Sequence, residues 1–292
     1  MTTRRPNAQH AAPAPLRLAC RALSLAAPPL AARVAADLFC RPRPRRHRRR
    51  ELPVLERATR STLEVRGHRL ARYTWGDAHA RPLVVLHHGW SADAAQMTGF
   101  VDPLLEAGFA VTAWDALGHG ESPGRLSSFV DMVADALEIV GEIGPVHAVV
   151  GHSMGAMVAA RIARAHAVEG VALVAPPAEM RVYSQLFADA LGFTPRVHDA
   201  MVAWFERSHD IGWEDITAES MAAGRGERCL VVFDADDRDA PPEHARRWID
   251  AWAGPVTEHR TEGLGHRHVL RDAGVHAAVA DWSAGDDGAP SS

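Results

Sequence analysis

The sequence predicts an α/β fold in which a mostly parallel sheet is covered by helices on both faces. Three observations carry that expectation. From Leu63 onward, short runs of β-branched and aliphatic residues alternate with longer helical stretches, and strands joined through helices pair in parallel because each crossover returns the chain to the same end of the sheet. The chain has 292 residues, 47% of them hydrophobic, enough to bury one large core. In "VHAVVGHSMGAMVAARIARAH", residues 146–166, an apolar strand runs through two glycines into a small-residue helix, the strand–turn–helix unit from which such sheets are built.

The elements follow in order. Residues 1–50 form a leader and linker, and residues 51–292 the folded domain. Within the leader, residues 16–40 read as helical turns broken by Pro28 and Pro29, with Arg17, Arg21 and Arg33 interrupting the apolar run. No apolar stretch reaches the ~20 residues a membrane span needs, and the arginines fall where a signal peptide would be apolar. "RPRPRRHRRR", residues 41–50, is a low-complexity linker. Strands are expected at "TLEVRG", "RLARYTW", "LVVLHH", "AVTAW", "VHAVV", "VALVA", "CLVVF" and "VTEHRT". Helices are expected over about 93–107, over "FVDMVADALEIVGEI", after Ser153, over "EHARRWIDAW" and near 268–282. The stretch 178–226, between the sixth and seventh strands, is too long for an ordinary connection. It reads as a small helical cap whose Tyr183, Phe187, Phe193, Trp204, Phe205 and Trp213 are either its own core or a substrate lid. A short flexible tail closes the chain at about 283–292.

Charge narrows the partners. The net charge is -4, yet residues 1–50 hold twelve arginines and one acid, Asp37. Clustered guanidinium groups attract phosphates, but the acidic remainder offers no aromatic platform or binding module for nucleic acid, so none is expected. The leader has two open fates. Leu16, Leu18, Leu23, Leu25, Leu30, Val34, Leu38 and Phe39 either pack inward on the body of the protein or lie on an anionic membrane with the arginines on its headgroups. Lysine is absent, which excludes a P-loop lysine, a Schiff-base lysine and a Ser-Lys dyad. Cys20, Cys40 and Cys229 are too few and too widely spaced for a disulfide framework or a zinc site, so a reducing, cytoplasmic setting is expected and no metal.

Ser153 sits two residues from Gly151 and from Gly155, the G-x-S-x-G spacing of a strained strand-to-helix turn that lifts a serine oxygen over the sheet edge. A serine there can instead simply cap the helix. As a nucleophile it needs a histidine base and a carboxylate that orients the histidine. After the seventh strand a loop offers Asp234, Asp236, Asp237 and Asp239, and after the eighth a glycine-rich loop offers His266, so the chain order is Ser, Asp, His. Donors for a developing oxyanion are expected from the backbone N–H of Met154, after the serine, and of Trp90, where "LVVLHHGW" leaves its strand. His152 should point away from the serine into the structure. His119 and Asp115 should brace the loop "DALGHGES".

Taken together, "HHGW", "DALGHGES", "GHSMGA", "FDADDRDAPPEHA" and "GLGHRHVL" make residues 60–283 resemble the α/β-hydrolase fold superfamily. The end of the leader, "ADLFCRPRPRR", resembles the front of a subgroup of bacterial members. The resemblance implies Ser153 as nucleophile, Asp237 as acid, His266 as base, Trp90 and Met154 as oxyanion donors, and no cofactor. Phe233 departs from the pattern, since many members have histidine there. The function implied is hydrolysis of a small to medium, largely apolar ester by a serine hydrolase. Thioester, amide or carbon–carbon bond cleavage stands beside it, as does a non-catalytic ligand-binding protein of the same fold. Serine at position 153, where aspartate would stand, disfavours dehalogenase or epoxide hydrolase chemistry.

Overall fold

The computed structural model describes residues 12–43 and 51–285. Most of the arginine-rich linker and the last residues of the expected tail therefore lie outside the described residues. The chain divides into two compact units, residues 42–178 with 218–292 and residues 1–41 with 179–217.

The first, a sheet unit, has eight strands: β1 (Thr59–Val65), β2 (His68–Trp75), β3 (Leu83–His87), β4 (Ala110–Trp114), β5 (Ala148–His152), β6 (Gly170–Val174), β7 (Arg228–Asp234) and β8 (Val256–Thr261). They lie in the order β1-β2-β4-β3-β5-β6-β7-β8. β1 and β2 pair antiparallel and β2 is antiparallel to β4, while β4 through β8 are parallel throughout. All five residues of β3, of β4, of β5 and of β6 are buried, as expected of central strands with helices on both faces. Val84 pairs with Ala148 and Val150 with Ala172, so β3, β5 and β6 end level with one another and their following loops share one edge of the sheet.

Two helices introduced by the sequence pattern have sharp sequence causes. The helix over Phe129–Ile143 starts where Ser128 accepts the Asp131 N–H, and Asp272 accepts the Val275 N–H to begin the last one, Ala273–Ser283. That cap places the start of the final helix five residues later than the apolar pattern suggests; Gly265–His268 and Val269–Arg271 form short turns of their own before it. The helix expected at 93–107 is a 3₁₀ segment, Ala94–Phe100, followed by an α-helix, Val101–Glu106. The core fills with Tyr73, Phe100, Leu104, Trp114 and Trp248, and the Trp248 indole N–H donates to the Pro177 carbonyl at 2.9 Å.

The second, a helical unit, contains α1 (Ala14–Ala26), α2 (Pro28–Phe39), α7 (Met180–Leu191) and α8 (Pro195–His209), numbered with α3 (Leu52–Glu56), α4 (Val101–Glu106), α5 (Phe129–Ile143) and α6 (Met154–Ala165) of the sheet unit between them. Pro28 and Pro29 open α2, where a missing N–H costs nothing. This division differs from the expected one: the leader shares a unit with residues 179–217 in place of standing alone, and residues 218–226 belong to the sheet unit. The cause lies in small residues. α2 buries Ala31, Ala32, Ala35 and Ala36, a stripe that lets its backbone approach α8, and together with Phe193, Val197 and Met201 these alanines form one cluster. Of the apolar leader residues, Leu23, Val34, Leu38 and Phe39 pack on that cluster, whereas Leu16, Leu18, Leu25 and Leu30 are exposed. The aromatics of the insertion serve the unit's interior: Phe193, Phe205 and Trp213 are buried, and Phe39 meets Phe187 edge-on at 5.3 Å. Among the described residues no helix is long and apolar enough to cross a membrane.

Candidate active site

β5 ends at His152, and the chain turns at Ser153 into α6 with the serine at φ 55°, ψ -124°. A left-handed φ on a residue with a side chain is strained and survives only where its surroundings enforce it. Here they do. The Ser153 N–H donates to the Val174 carbonyl at the end of β6, and the Ser153 carbonyl accepts from the Ala156 N–H, both at 2.9 Å. The flanking glycines are sterically required. A Cβ on Gly151 would lie 2.1 Å from the Gly155 carbonyl oxygen, and one on Gly155 would lie 2.4 Å from the His87 carbonyl oxygen.

The serine hydroxyl donates to His266 Nε2 at 3.0 Å. On the far side of that ring, the Nδ1–H donates to Asp237 Oδ2 at 2.8 Å. Asp237 Oδ1 accepts the N–H groups of Asp239 and Ala240, each at 2.8 Å, so a buried carboxylate has both oxygens occupied. With Nδ1 committed as a donor, Nε2 is the acceptor in the neutral ring, the tautomer a general base requires.

The four aspartates of the β7 loop separate by geometry. Asp234 is buried and ties the histidine loop down: its carboxylate accepts the N–H groups of Asp236 and Leu264 and the Thr261 hydroxyl. Burial alone would raise its pKa, but hydrogen bonds from Gly265, Thr261, Asp236 and Leu264 outweigh that and hold it below the ordinary carboxylate value. Asp236 is exposed and accepts the Gly263 N–H at 3.0 Å.

Behind the serine lies a cluster of buried histidines, each locked to backbone. His88 Nε2 accepts the Ala116 N–H and its Nδ1–H donates to the Gly89 carbonyl. His119 Nε2 accepts the Ser91 N–H while its Nδ1–H donates to the Leu117 carbonyl, and burial pushes its pKa down to about 4. Burial likewise lowers His87 to about 4. Asp115 accepts the N–H groups of Ala94 and Glu121 and the Tyr73 hydroxyl; burial nevertheless raises it to about 6. His119 and Asp115 thus brace the loop after β4 as their positions suggested.

Trp90 sits between two amides whose directions are set, since the Gly89 N–H donates to Gln96 Oε1 at 3.0 Å and the Ser91 N–H to His119. A Cβ on Gly89 would stand 3.3 Å from Ser153 Cβ, which places the start of this turn against the serine. Met154 opens α6, so its N–H belongs to the first turn, where no intrahelical acceptor exists. Gln96 carried no signal in the sequence.

His152 was expected to point inward, and it is buried. Its Nε2–H donates to the His266 carbonyl at 2.9 Å, with the two rings 4.9 Å apart. Burial, reinforced by the nearby His266, lowers its pKa to about 3. The residue before the serine therefore holds the backbone of the histidine that meets the serine. Its adjacency in "GHSMG" is the only sequence trace of that link.

The profile of the serine aminopeptidase S33 family matches residues 78–215. The pimeloyl-(acyl-carrier protein) methyl ester esterase of Methylococcus capsulatus is 46% identical over 84 residues, 28% of this chain and 32% of that protein. A serine hydrolase-like protein of Danio rerio is 29% identical over 169 residues, 56% of this chain and 47% of that one. The chain spans about a third to a half of the length of the curated relatives it matches. The crystal structure of Paleococcus ferrophilus monoacylglycerol lipase matches with a TM-score of 0.55 at 23% identity, covering 74% of this chain and 99% of that one. An eight-stranded sheet of this order, turning from its fifth strand into a helix through a glycine-flanked serine, agrees with these likenesses: the chain has the α/β-hydrolase fold.

Proposed function

We propose that the protein is a serine hydrolase of carboxylesterase type, acting on small to medium, largely apolar esters through an acyl-enzyme. The observation that carries this reading is the unbroken hydrogen-bond chain from Asp237 through His266 to a serine held at φ 55°. A capping serine has no use for a buried carboxylate–histidine pair, whereas a nucleophile needs both. In the reading proposed, Ser153 Oγ attacks the ester carbonyl as His266 Nε2 takes its proton. The oxyanion rests on the Trp90 and Met154 N–H groups. His266 then hands its proton to the departing alkoxide, the alcohol leaves, and a water activated by the same nitrogen attacks the acyl-serine and releases the acid. Every proton is carried by His266, and no cofactor enters. The choice of an ester rests on the relatives, whose names specify a methyl ester and a monoacylglycerol.

A fluorophosphonate probe tests the nucleophile directly: the folded protein should label at Ser153, and a Ser153→Ala variant should not. A folded protein that fails to label is a ligand-binding member of the fold and not an enzyme. A panel of p-nitrophenyl esters of two to twelve acyl carbons, run beside matched thioesters and anilides, tests the substrate class. Esters of medium chain should give the largest kcat/KM; faster turnover of thioester or anilide would move the assignment to that bond.

A further inference from the structure

We propose that the outer face of α1 and the start of α2 docks on an anionic lipid surface. Ordinary amphipathic helices bury their largest apolar residues and expose small or polar ones. Here the arrangement is reversed. α1 buries Cys20 and Ser24 and leaves Leu18 and Leu25 69% and 72% exposed. These two leucines are seven residues apart, two turns along one stripe, and exposed Arg21 stands between them. Leu30, beside Pro29 at the start of α2, is 53% exposed. Of the large hydrophobics exposed among the described residues, Leu52 and Leu126 are in the sheet unit, and the other six, Leu16, Leu18, Leu25, Leu30, Val182 and Leu186, are all in the helical unit. Such crowding on so small a part of the chain marks a surface that meets something apolar.

Charge selects the partner. Arg17, Arg21 and Arg33 are exposed among these leucines, α1 carries no acid, and the first fifty residues hold twelve arginines against Asp37 alone. A second copy docking through the same face would set arginine against arginine, because a two-fold contact pairs each patch with itself. A nucleic acid would satisfy the guanidinium groups but leave the leucines against phosphate and water. A bilayer interface takes both: leucines enter the boundary between headgroups and acyl chains, while arginine stems lie along it and place their charge on lipid phosphates. At 13 residues, α1 is too short to span the ~30 Å hydrocarbon layer and suits an orientation flat on its surface.

The test uses the full chain and large unilamellar vesicles of phosphatidylcholine alone or of phosphatidylcholine and phosphatidylglycerol at 7:3, read by co-sedimentation. Wild type should pellet with the anionic vesicles at least about tenfold more strongly than with neutral ones, and 0.5 M NaCl should weaken it several-fold. The Leu18→Glu/Leu25→Glu/Leu30→Glu variant should lose at least about tenfold, and Arg17→Gln/Arg21→Gln/Arg33→Gln several-fold. All six positions are solvent-facing, so both variants should keep the wild-type melting temperature and fluorophosphonate labelling. The proposal is overturned if wild type stays in the supernatant with anionic vesicles, or if the leucine variant pellets as wild type does. It is also overturned if sedimentation velocity without lipid finds a wild-type dimer that the leucine substitutions dissolve. Binding to duplex DNA that ignores those substitutions, without vesicle binding, assigns the arginines to nucleic acid and overturns it as well.

Discussion

The sheet unit and the first two helices of the helical unit place large and small side chains in opposite ways. In the sheet unit, Trp114, Trp248, Tyr73 and Phe100 are buried at 2% exposure or less, and small residues appear where backbone meets backbone, as at Gly151 and Gly155. In α1 and α2 of the helical unit, buried alanines form the α2 stripe, while Leu16, Leu18, Leu25 and Leu30 face outward. The difference teaches that burial follows the distance of approach as much as hydrophobicity. Helices that come close admit only short side chains, and a longer one in the same helix is turned to the outside. In the sheet unit, layers about 10 Å apart leave room for indoles and phenyl rings.

The largest expected effect lies at a strained residue of the sheet unit, the serine at φ 55°. Ser153→Ala should lower kcat by about 10⁶, as triad deletions do in other serine hydrolases, while a thermal melt finds the fold intact. Measurable turnover near the wild-type rate would end the proposed chemistry. Next come the paired aspartates of the β7 loop. Asp237→Asn keeps the shape but loses the charge beside His266, and by analogy with a well-studied triad should cost about 10⁴ in kcat. Asp236→Asn, exposed and holding only the Gly263 N–H, should be nearly normal. Reversed results would put the orienting carboxylate one residue earlier.

A third effect comes from buried histidines, mainly those of the sheet unit, with His198 of α8, also lowered by burial, adding to it with the same sign. His87, His119 and His152 are held neutral, with pKa values near 4, 4 and 3. As pH falls below about 6.5 the unfolded chain takes up protons that the folded one refuses, so stability drops progressively toward pH 4. Asp115, raised to about 6, acts with the opposite sign between about 6 and 4, because its folded form binds the proton first. Three groups against one leave a net loss on the order of a few kcal/mol, to be read as a fall in melting temperature across that range. A melting temperature flat from pH 7 to 4 would contradict it.

The smallest effects set the two kinds of packing side by side. Ala35→Leu inserts bulk at a fully buried position of α2 and should cost about 1–3 kcal/mol in denaturant unfolding. Leu18→Ala removes bulk from an exposed one and should stay within about 0.5 kcal/mol. Equal costs at the two positions would dissolve the contrast between centre and surface.

Much of the sheet unit could be read along the chain because its signals are local. Strands β3 to β7 fall at runs of apolar residues, and the helix over Phe129–Ile143 coincides with its pattern because Ser128 caps it. The residues alone left four aspartates open in that loop and the family resemblance implied Asp237; the structure sets Asp237, not Asp236, against His266. What escaped depends on distant partners. An alanine stripe carries little hydrophobic contrast, so nothing within residues 28–39 announces that they share a cluster with Phe193, Val197 and Met201. For the same reason the sequence did not divide the leucines into Leu23 and Leu38, which pack on that cluster, and Leu16, Leu18, Leu25 and Leu30, which are exposed. The bond from His152 to the His266 carbonyl joins residues 114 apart in sequence, and no periodicity encodes it.

The steric limits at the elbow bear on how this protein can change over generations. The atoms a side chain at 151 or 155 would strike are carbonyl oxygens of Gly155, His87 and His88, parts of the main chain and not of any replaceable group. A second mutation elsewhere rescues a crowded position by shrinking its neighbour, and a peptide bond cannot be shrunk. Lineages and laboratory libraries that explore new substrates must therefore leave Gly151 and Gly155 as they are and draw their variation from residues whose neighbours are themselves side chains.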